Sequence, residues 1–362
     1  MNIIVHDTLS TFEPLFTSTD NPKVLLEKAR PVLFDPDGLQ VQLSKHFANK
    51  EQNGFYVMQA AQRDGVHVLA MQQGWGLFNP TRNRNVSAWQ FEQFAQKDVA
   101  ARIHEILTAL CEQLPDSLLP PTLNCYLFPT DPANKPLMIN NHGLSGFGFS
   151  PGHLFVQLWP SDGNLARLRP LLARLLIHTI RPLPLETTQT LADWLAIEGL
   201  AANFIMTTLP KPDRMSWYEW LKLGQKSWRD WLNPPADWPE TLAQIAAIYG
   251  LSSFDDLVVN VYSSMQPIGS DRPPTVDPLS AEEREYARDV IRDGLGETDP
   301  NQIAAYLYGD EIVAEQGHQG VGLPPYAGFE VAHDMVERYL ARQKLSLVDA
   351  LGGKRADFAQ VL

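Results

Sequence analysis

The chain has 362 residues, 44% of them hydrophobic and 20% charged, a globular composition and not a disordered one. Lys and Arg number 29 against 42 Asp and Glu, and the net charge of −13 argues against a general affinity for nucleic acid or for an anionic membrane surface. Two cysteines, Cys111 and Cys125, are too few for a disulfide framework or a cysteine zinc site. The opening residues lack a signal-peptide pattern and no apolar run reaches the ~20 residues of a membrane helix, so the expectation is a soluble, cytoplasmic protein.

Taken in chain order, Phe55–Met58 and Val66–Met71 flank the turn signal Asp64-Gly65 and predict a β-hairpin. Residues 88–113 carry a helical period through Trp89, Phe91, Phe94, Ile103, Ile106, Leu107 and Leu110. Pro120-Pro121 interrupts it, and Asn124–Phe128 and His153–Trp159 predict further strands around a Gly-rich stretch, Gly143–Phe149. After Pro160 the pattern is helical, over about 164–181, 187–207, 215–232, 239–249, 279–294, 300–308 and 328–344, with a proline-rich loop at 267–277. Strands followed by helices predict an α+β fold, with a small mixed sheet in the N-terminal half and a largely helical C-terminal half. The expected division is an N-terminal α/β region, 1–135, and a mostly helical domain, 136–362, unless the two form one compact unit.

Two segments carry a resemblance. The Gly-rich turn and strand at 143–159, the helix Leu171–Arg181 ending in His178-x-x-Arg181, and the later Ala196-Ile197-Glu198-Gly199-Leu200-Ala201 follow one another at a specific spacing. A second stretch is Gly322-Leu323-Pro324-Pro325-Tyr326-Ala327-Gly328-Phe329, running into a helix through Val336 and Tyr339. Together they resemble a bacterial family of predicted zinc-dependent proteases. That resemblance implies a zincin-like fold, with His-Glu-x-x-His on one helix and a Glu on the next. In such a motif two His four apart grip one Zn²⁺ from one helix face, and the Glu beside the first acts as general base on zinc-bound water.

This chain departs from the motif at its chemical centre. In the register that aligns Arg181 and Glu198, His178 is the second metal His, Arg174 stands at the first, and Leu175 stands at the general-base position. The other register puts Thr179 at the base position and Pro182 at the second His, where proline tends to end the helix. A general base contributes about 10²–10⁴-fold, which Leu175 cannot supply. One His and one Glu fall short of three protein ligands. The expectation is therefore a catalytically inactive member, with no zinc and no other cofactor, that binds a peptide or protein in the former active-site cleft. The alternative is an active zinc metallopeptidase that uses His178 and Glu198 plus a ligand from elsewhere. Positions assigned to the cleft edge are His142, Arg181 and His318. Arg174 either pairs with Glu198 across two helices or points to solvent while Glu198 pairs locally.

Asp193 and Glu198 are ~140° apart on a helix and do not form a two-carboxylate site. His333 is not read as catalytic. Trp217, Trp220, Trp228 and Trp231 fall within about an 80° arc of one predicted helix, which is either a core-facing stripe or an aromatic ledge over a groove. Oligomeric state leaves no mark on the sequence.

Overall fold

Leu123, Cys125 and Leu127 are buried and alternate with the half-buried Asn124 and Tyr126. That period of two builds β2 (Thr122–Pro129), on which the sheet is assembled. The computed structural model describes residues 1–7, 21, 24, 84–130, 143–181, 189–210, 279–315, 317–352 and 355–362. Among these, β1 (Asn2–Asp7), β2, β3 (Leu144–Ser150) and β4 (His153–Leu158) form one four-stranded sheet in the order β1-β2-β4-β3. β2 runs parallel to β1 and β4, and β3 runs antiparallel to β4. β1 and β2 lie before residue 135 and β3 and β4 after it, so strands from both halves of the expected division share one sheet.

The fold is mixed α+β with a small mixed sheet, and every described element after β4 is helical. The period through 88–113 is two helices, α1 (Arg84–Gln96) and α2 (Val99–Cys111), separated at Asp98, whose φ of 50° breaks the helical path. Val99, Ile103, Leu107 and Leu110 make the buried stripe of α2, which packs on β1. The segment read as one helix over 164–181 is a short α3 (Asp162–Ala166), capped by Ser161, and then α4 (Leu168–Ile180). α4 is buried nearly all round, which places it in the middle of the fold against β3, α2 and the next helix.

That next helix, α5 (Leu191–Thr208), starts at a capping box. Thr190 Oγ1 accepts from Asp193 N–H, and the Asp193 carboxylate accepts from Thr190 N–H. The same device opens α6 (Ala281–Gly294) with Ser280 and Glu283, so the acidic run there is a helix start. α7 (Pro300–Tyr308) is capped by Asp299 with Pro300 at its first position. Two short helices escaped the sequence reading, α8 (Asp310–Glu315) and α10 (Leu347–Leu351), on either side of α9 (Ala327–Gln343). The predicted hairpin at 55–71, the helices at 215–232 and 239–249 with their tryptophan stripe, and the loop at 267–277 lie outside the described residues.

Two glycine contacts set the spacing at the centre. A Cβ on Gly148 would meet the Leu175 carbonyl oxygen at 2.3 Å, so β3 lies directly on the backbone of α4. A Cβ on Gly199 would meet the Ala332 carbonyl oxygen at 2.2 Å, so α5 and α9 cross in backbone contact. Asn203 fastens that crossing, its Nδ2 donating to the carbonyls of Gly199 at 2.8 Å and His333 at 3.1 Å.

Candidate functional site

Arg174 and His178 are one turn apart on α4 and so share a face, and α5 brings Glu198 up to it. The Arg174 fork closes on the carboxylate. Nε donates to Oε2 at 2.8 Å and Nη2 to Oε1 at 2.5 Å. This is the planar bidentate pairing that makes arginine–carboxylate contacts strong. The side chains are 11% and 4% exposed, so the pair is nearly dry. His178, 1% exposed, places Nε2 3.5 Å from the same Glu198 Oε1. Of the two orientations left open by the sequence, the cross-helix pairing is the one the chain adopts.

The charges of the three groups follow from burial and from one another. Burial alone would raise the Glu198 carboxyl, but the Arg174 guanidinium, helped by His178, overrides it and holds the acid well below the usual carboxylate range. Burial also works against the Arg174 cation, and Glu198 more than restores it. Burial pushes His178 down from its ordinary value, and Arg174 adds to this against the pull of Glu198. The contact between His178 and Glu198 is therefore a neutral imidazole beside an anion, not a second ion pair.

Leu175 is fully buried, its Cδ1 2.5 Å from where a Gly146 Cβ would stand, so residue 175 faces β3. Thr179 donates from Oγ1 to the carbonyls of Gly148 at 2.5 Å and His153 at 3.2 Å, which makes it a tie between α4 and the sheet. That excludes Thr179 as a free base in the alternative register. Asp193 serves the cap of α5 while Glu198, a turn and a half on, serves the site, in keeping with their angular separation.

Tyr308, at the end of α7, is a member the sequence reading missed. Its phenol interacts electrostatically with both Arg174 and Glu198, and burial pushes it above its ordinary value. Its ring stands edge-on to Phe329 at 5.2 Å and Tyr326 at 6.3 Å. No motif marked it, because α7 is unconnected to α4 and α5 in local sequence. Asp310 holds the chain that follows. Its carboxylate accepts from the backbone N–H groups of Val321, Gly322 and Leu323, and Tyr326 N–H donates to Tyr308 C=O.

The cleft-edge positions fare differently. Arg181 donates from Nη1 to the carbonyls of Ala350 and Leu351 and lies over the Phe358 ring at 5.4 Å, so it anchors the C-terminal segment. His318 is exposed on the loop after α8, and His142 lies outside the described residues. Elsewhere among the described residues, His333, Asp334 and Glu337 on α9 place ligand-type atoms within 4.8 Å of one another. Asp334 there is already paired with Arg288 at 2.7 Å and Arg284 at 3.7 Å, which makes the group a surface charge network. Among the described residues no helix is long and apolar enough to cross a membrane.

Residues 103–253 and 262–360 match the model of a family described as "Predicted Zn-dependent protease (DUF2268)". The chain belongs to this family. It is also similar to an uncharacterized protein of Bacillus subtilis (strain 168), YjfC, with 22% identity over 358 residues, covering 97% of this chain and 94% of that one. No solved structure matches it. The family match takes in α4, α5, Tyr308 and the 322–345 stretch, and reaches back to α2, well before the segment whose resemblance was legible. The site built by α4 and α5 presents two side chains with metal-donor atoms, His178 and Glu198, and one guanidinium. A guanidinium has five N–H donors and no lone pair to offer a metal.

Proposed function

We propose that this chain is a zinc-free, catalytically inactive member of the predicted Zn-dependent protease family, and that it binds a peptide or protein segment in the former active-site cleft. The observation that carries the reading is the bidentate Arg174–Glu198 pair. A catalytic zinc site uses three protein ligands and an open position. Here a fixed cation stands at the first ligand position and engages the carboxylate that would be the third, so the donor set does not fit the ion. The buried leucine at 175 adds to this, because it stands where the motif has the Glu that takes a proton from an attacking water.

Binding without chemistry is the reading that uses what remains. β3 is one of the two outer strands of the described sheet and lies against the helix that carries the ion pair, and an extended segment can add to such an edge through main-chain hydrogen bonds. The half-buried Tyr308 supplies an aromatic group beside the pair. The competing reading, a metallopeptidase that recruits a third ligand from elsewhere, draws on the proximity of His178 Nε2 and Glu198 Oε1. It requires Arg174 to release Glu198.

Elemental analysis of untagged protein and a peptidase assay on the same sample separate the two. The proposal expects no zinc, no hydrolysis, and enrichment of extended peptides from a display library by the wild-type chain. Near-stoichiometric zinc, or hydrolysis abolished by chelator, would sink it. Failure to enrich any peptide, with zinc also absent, would refute the binding half.

A further inference from the structure

We propose that the bound segment is recognised by a carboxamide side chain, glutamine for its reach, which crosses β3 and hydrogen-bonds to Gln157 and Trp159 on the sheet face turned away from α4. This names the ligand chemistry of the peptide site above and rests on that reading.

Gly146 and Gly148 face α4, as their contacts with Leu175 show. By alternation Ser145 takes the opposite face, together with its cross-strand partner Gln157. Trp159 stays in the same ladder, its N–H donating to the Gly143 carbonyl at 2.8 Å, and so shares that face. Gln157 is 1% exposed and Trp159 is fully buried. Among the described residues, neither Gln157 Oε1 nor Trp159 Nε1 has a hydrogen-bond partner. One atom is an acceptor and the other a donor, on residues about 6.4–6.8 Å apart along one strand.

Their described neighbours do not serve them. Phe128 stands opposite Gln157 on β2, with its ring 5.0 Å from Phe155. The Trp159 ring leans on Trp89 at 5.3 Å. The polar groups nearby are committed to one another. Thr130 and Gln90 exchange two hydrogen bonds, Thr130 Oγ1 donates to the Gly143 carbonyl, and Asn164 Nδ2 donates to the Trp159 carbonyl. A dry donor and acceptor without partners cost stability, and such exceptions concentrate where a chain binds something.

β3 leaves the way in. The residues it sets beside Trp159 and Gln157 are Gly143 and Ser145, both small, and Ser145 is only half-buried. A strand added outside β3 lies two spacings of about 4.8 Å from β4, and a side chain opposite Ser145 has one hydroxymethyl group to cross. A carboxamide carries both complements. Its N–H donates to Gln157 Oε1 and its oxygen accepts from Trp159 Nε1. A carboxylate lacks the donor and brings a charge into a dry place, and an aliphatic side chain lacks both groups.

The test takes peptides enriched from a display library by the wild-type chain. Each is compared with forms carrying methionine or glutamate at the recurrent glutamine, by fluorescence anisotropy against the wild-type chain, Gln157→Met and Ser145→Leu. The expected result is a glutamine fixed at one position, and binding at least about 10-fold weaker when it is replaced. Both protein variants should lose that preference and still bind the methionine form, which keeps the main-chain hydrogen bonds. Gln157→Met also reports without ligand. It conserves volume and removes the unpartnered amide, so the urea midpoint should hold or rise. A lower midpoint would show the amide already bonded in the free chain, by an ordered water, and would overturn the inference while the peptide reading stands. Enriched peptides without a shared carboxamide, or a preference that survives Gln157→Met, would do the same. No enriched peptide at all would refute the peptide reading and the inference with it. If Ser145→Leu does not fold, Gln157→Met carries the test alone.

Discussion

Replacing Arg174 with Ala strands the Glu198 carboxylate, 4% exposed, with its bidentate partner removed. At charge centres ~4 Å apart and an effective dielectric near 20, the attraction lost is about 4 kcal/mol. Measured losses from breaking a buried pair by deleting one partner run at about 3–5 kcal/mol, which is the expected cost here. Glu198→Ala strands the guanidinium, which is 11% exposed and closer to water, so its cost should be the smaller of the two. The double variant removes both charges and leaves only a void, so its loss should fall short of the sum by about 1–3 kcal/mol. Urea unfolding followed by tryptophan fluorescence and by circular dichroism reads all four proteins. Acid sharpens the contrast. Glu198 has its proton affinity depressed in the folded chain, so its contribution is complete above the unfolded carboxylate value of about 4.3 and is lost as pH falls through the lower folded value. Losses that add to within about 0.5 kcal/mol would show that the two groups do not stabilise each other, and the reasoning would fail.

His178 has its proton affinity lowered by burial, so the unfolded chain binds the extra proton first as pH drops below about 6.5. Stability should therefore decline from pH 7 towards 5, and His178→Gln should flatten that decline by up to about 1.4 kcal/mol per pH unit in parallel urea titrations. Gly199→Ala drives a methyl group into the Ala332 carbonyl and the Val336 side chain, which should cost about 1–3 kcal/mol and lower the melting temperature measured by calorimetry. Asp310→Ala removes the acceptor for three backbone N–H donors, and hydrogen exchange at Val321, Gly322 and Leu323 should accelerate while exchange in α4 does not. Burial pushes the thiols of Cys111 and Cys125 up to about 12, so a thiol reagent at pH 8 should label neither until denaturant is added.

Much of the helical half was legible because its signals are local. Ser280, Thr190 and Asp299 each stand just ahead of an apolar period, and each caps a helix. β1 was not legible. Asn2–Asp7 is six residues at one edge of the sheet with Ile4 left exposed, and it becomes a strand through parallel pairing to residues 122–127. The break between α1 and α2 was hidden because both helices put apolar residues on the core side, while Asp98 turns the backbone without a glycine or proline to announce it. Arg181 looked like a cleft residue because it belongs to the motif spacing, and its long side chain instead reaches carbonyls about 170 residues away.

The sequence by itself determined the chemistry available at the site. It places an arginine and a leucine at the positions where the resemblance implies the first metal His and the general base, and a period of 3.6 puts residues 174 and 178 on one face whatever the rest of the fold does. It did not determine where Glu198 would go. That carboxylate is 24 residues from Arg174, and helical periodicity fixes an angle about one axis, not the distance between two axes. The distance comes from the direct packing of α5 on α4, with β3 held on α4 at Gly148 and α9 held on α5 at Gly199 and Asn203. Once α5 is held there, Glu198 is too deep to remain charged alone, and among the described residues Arg174 is the cation that pairs with it.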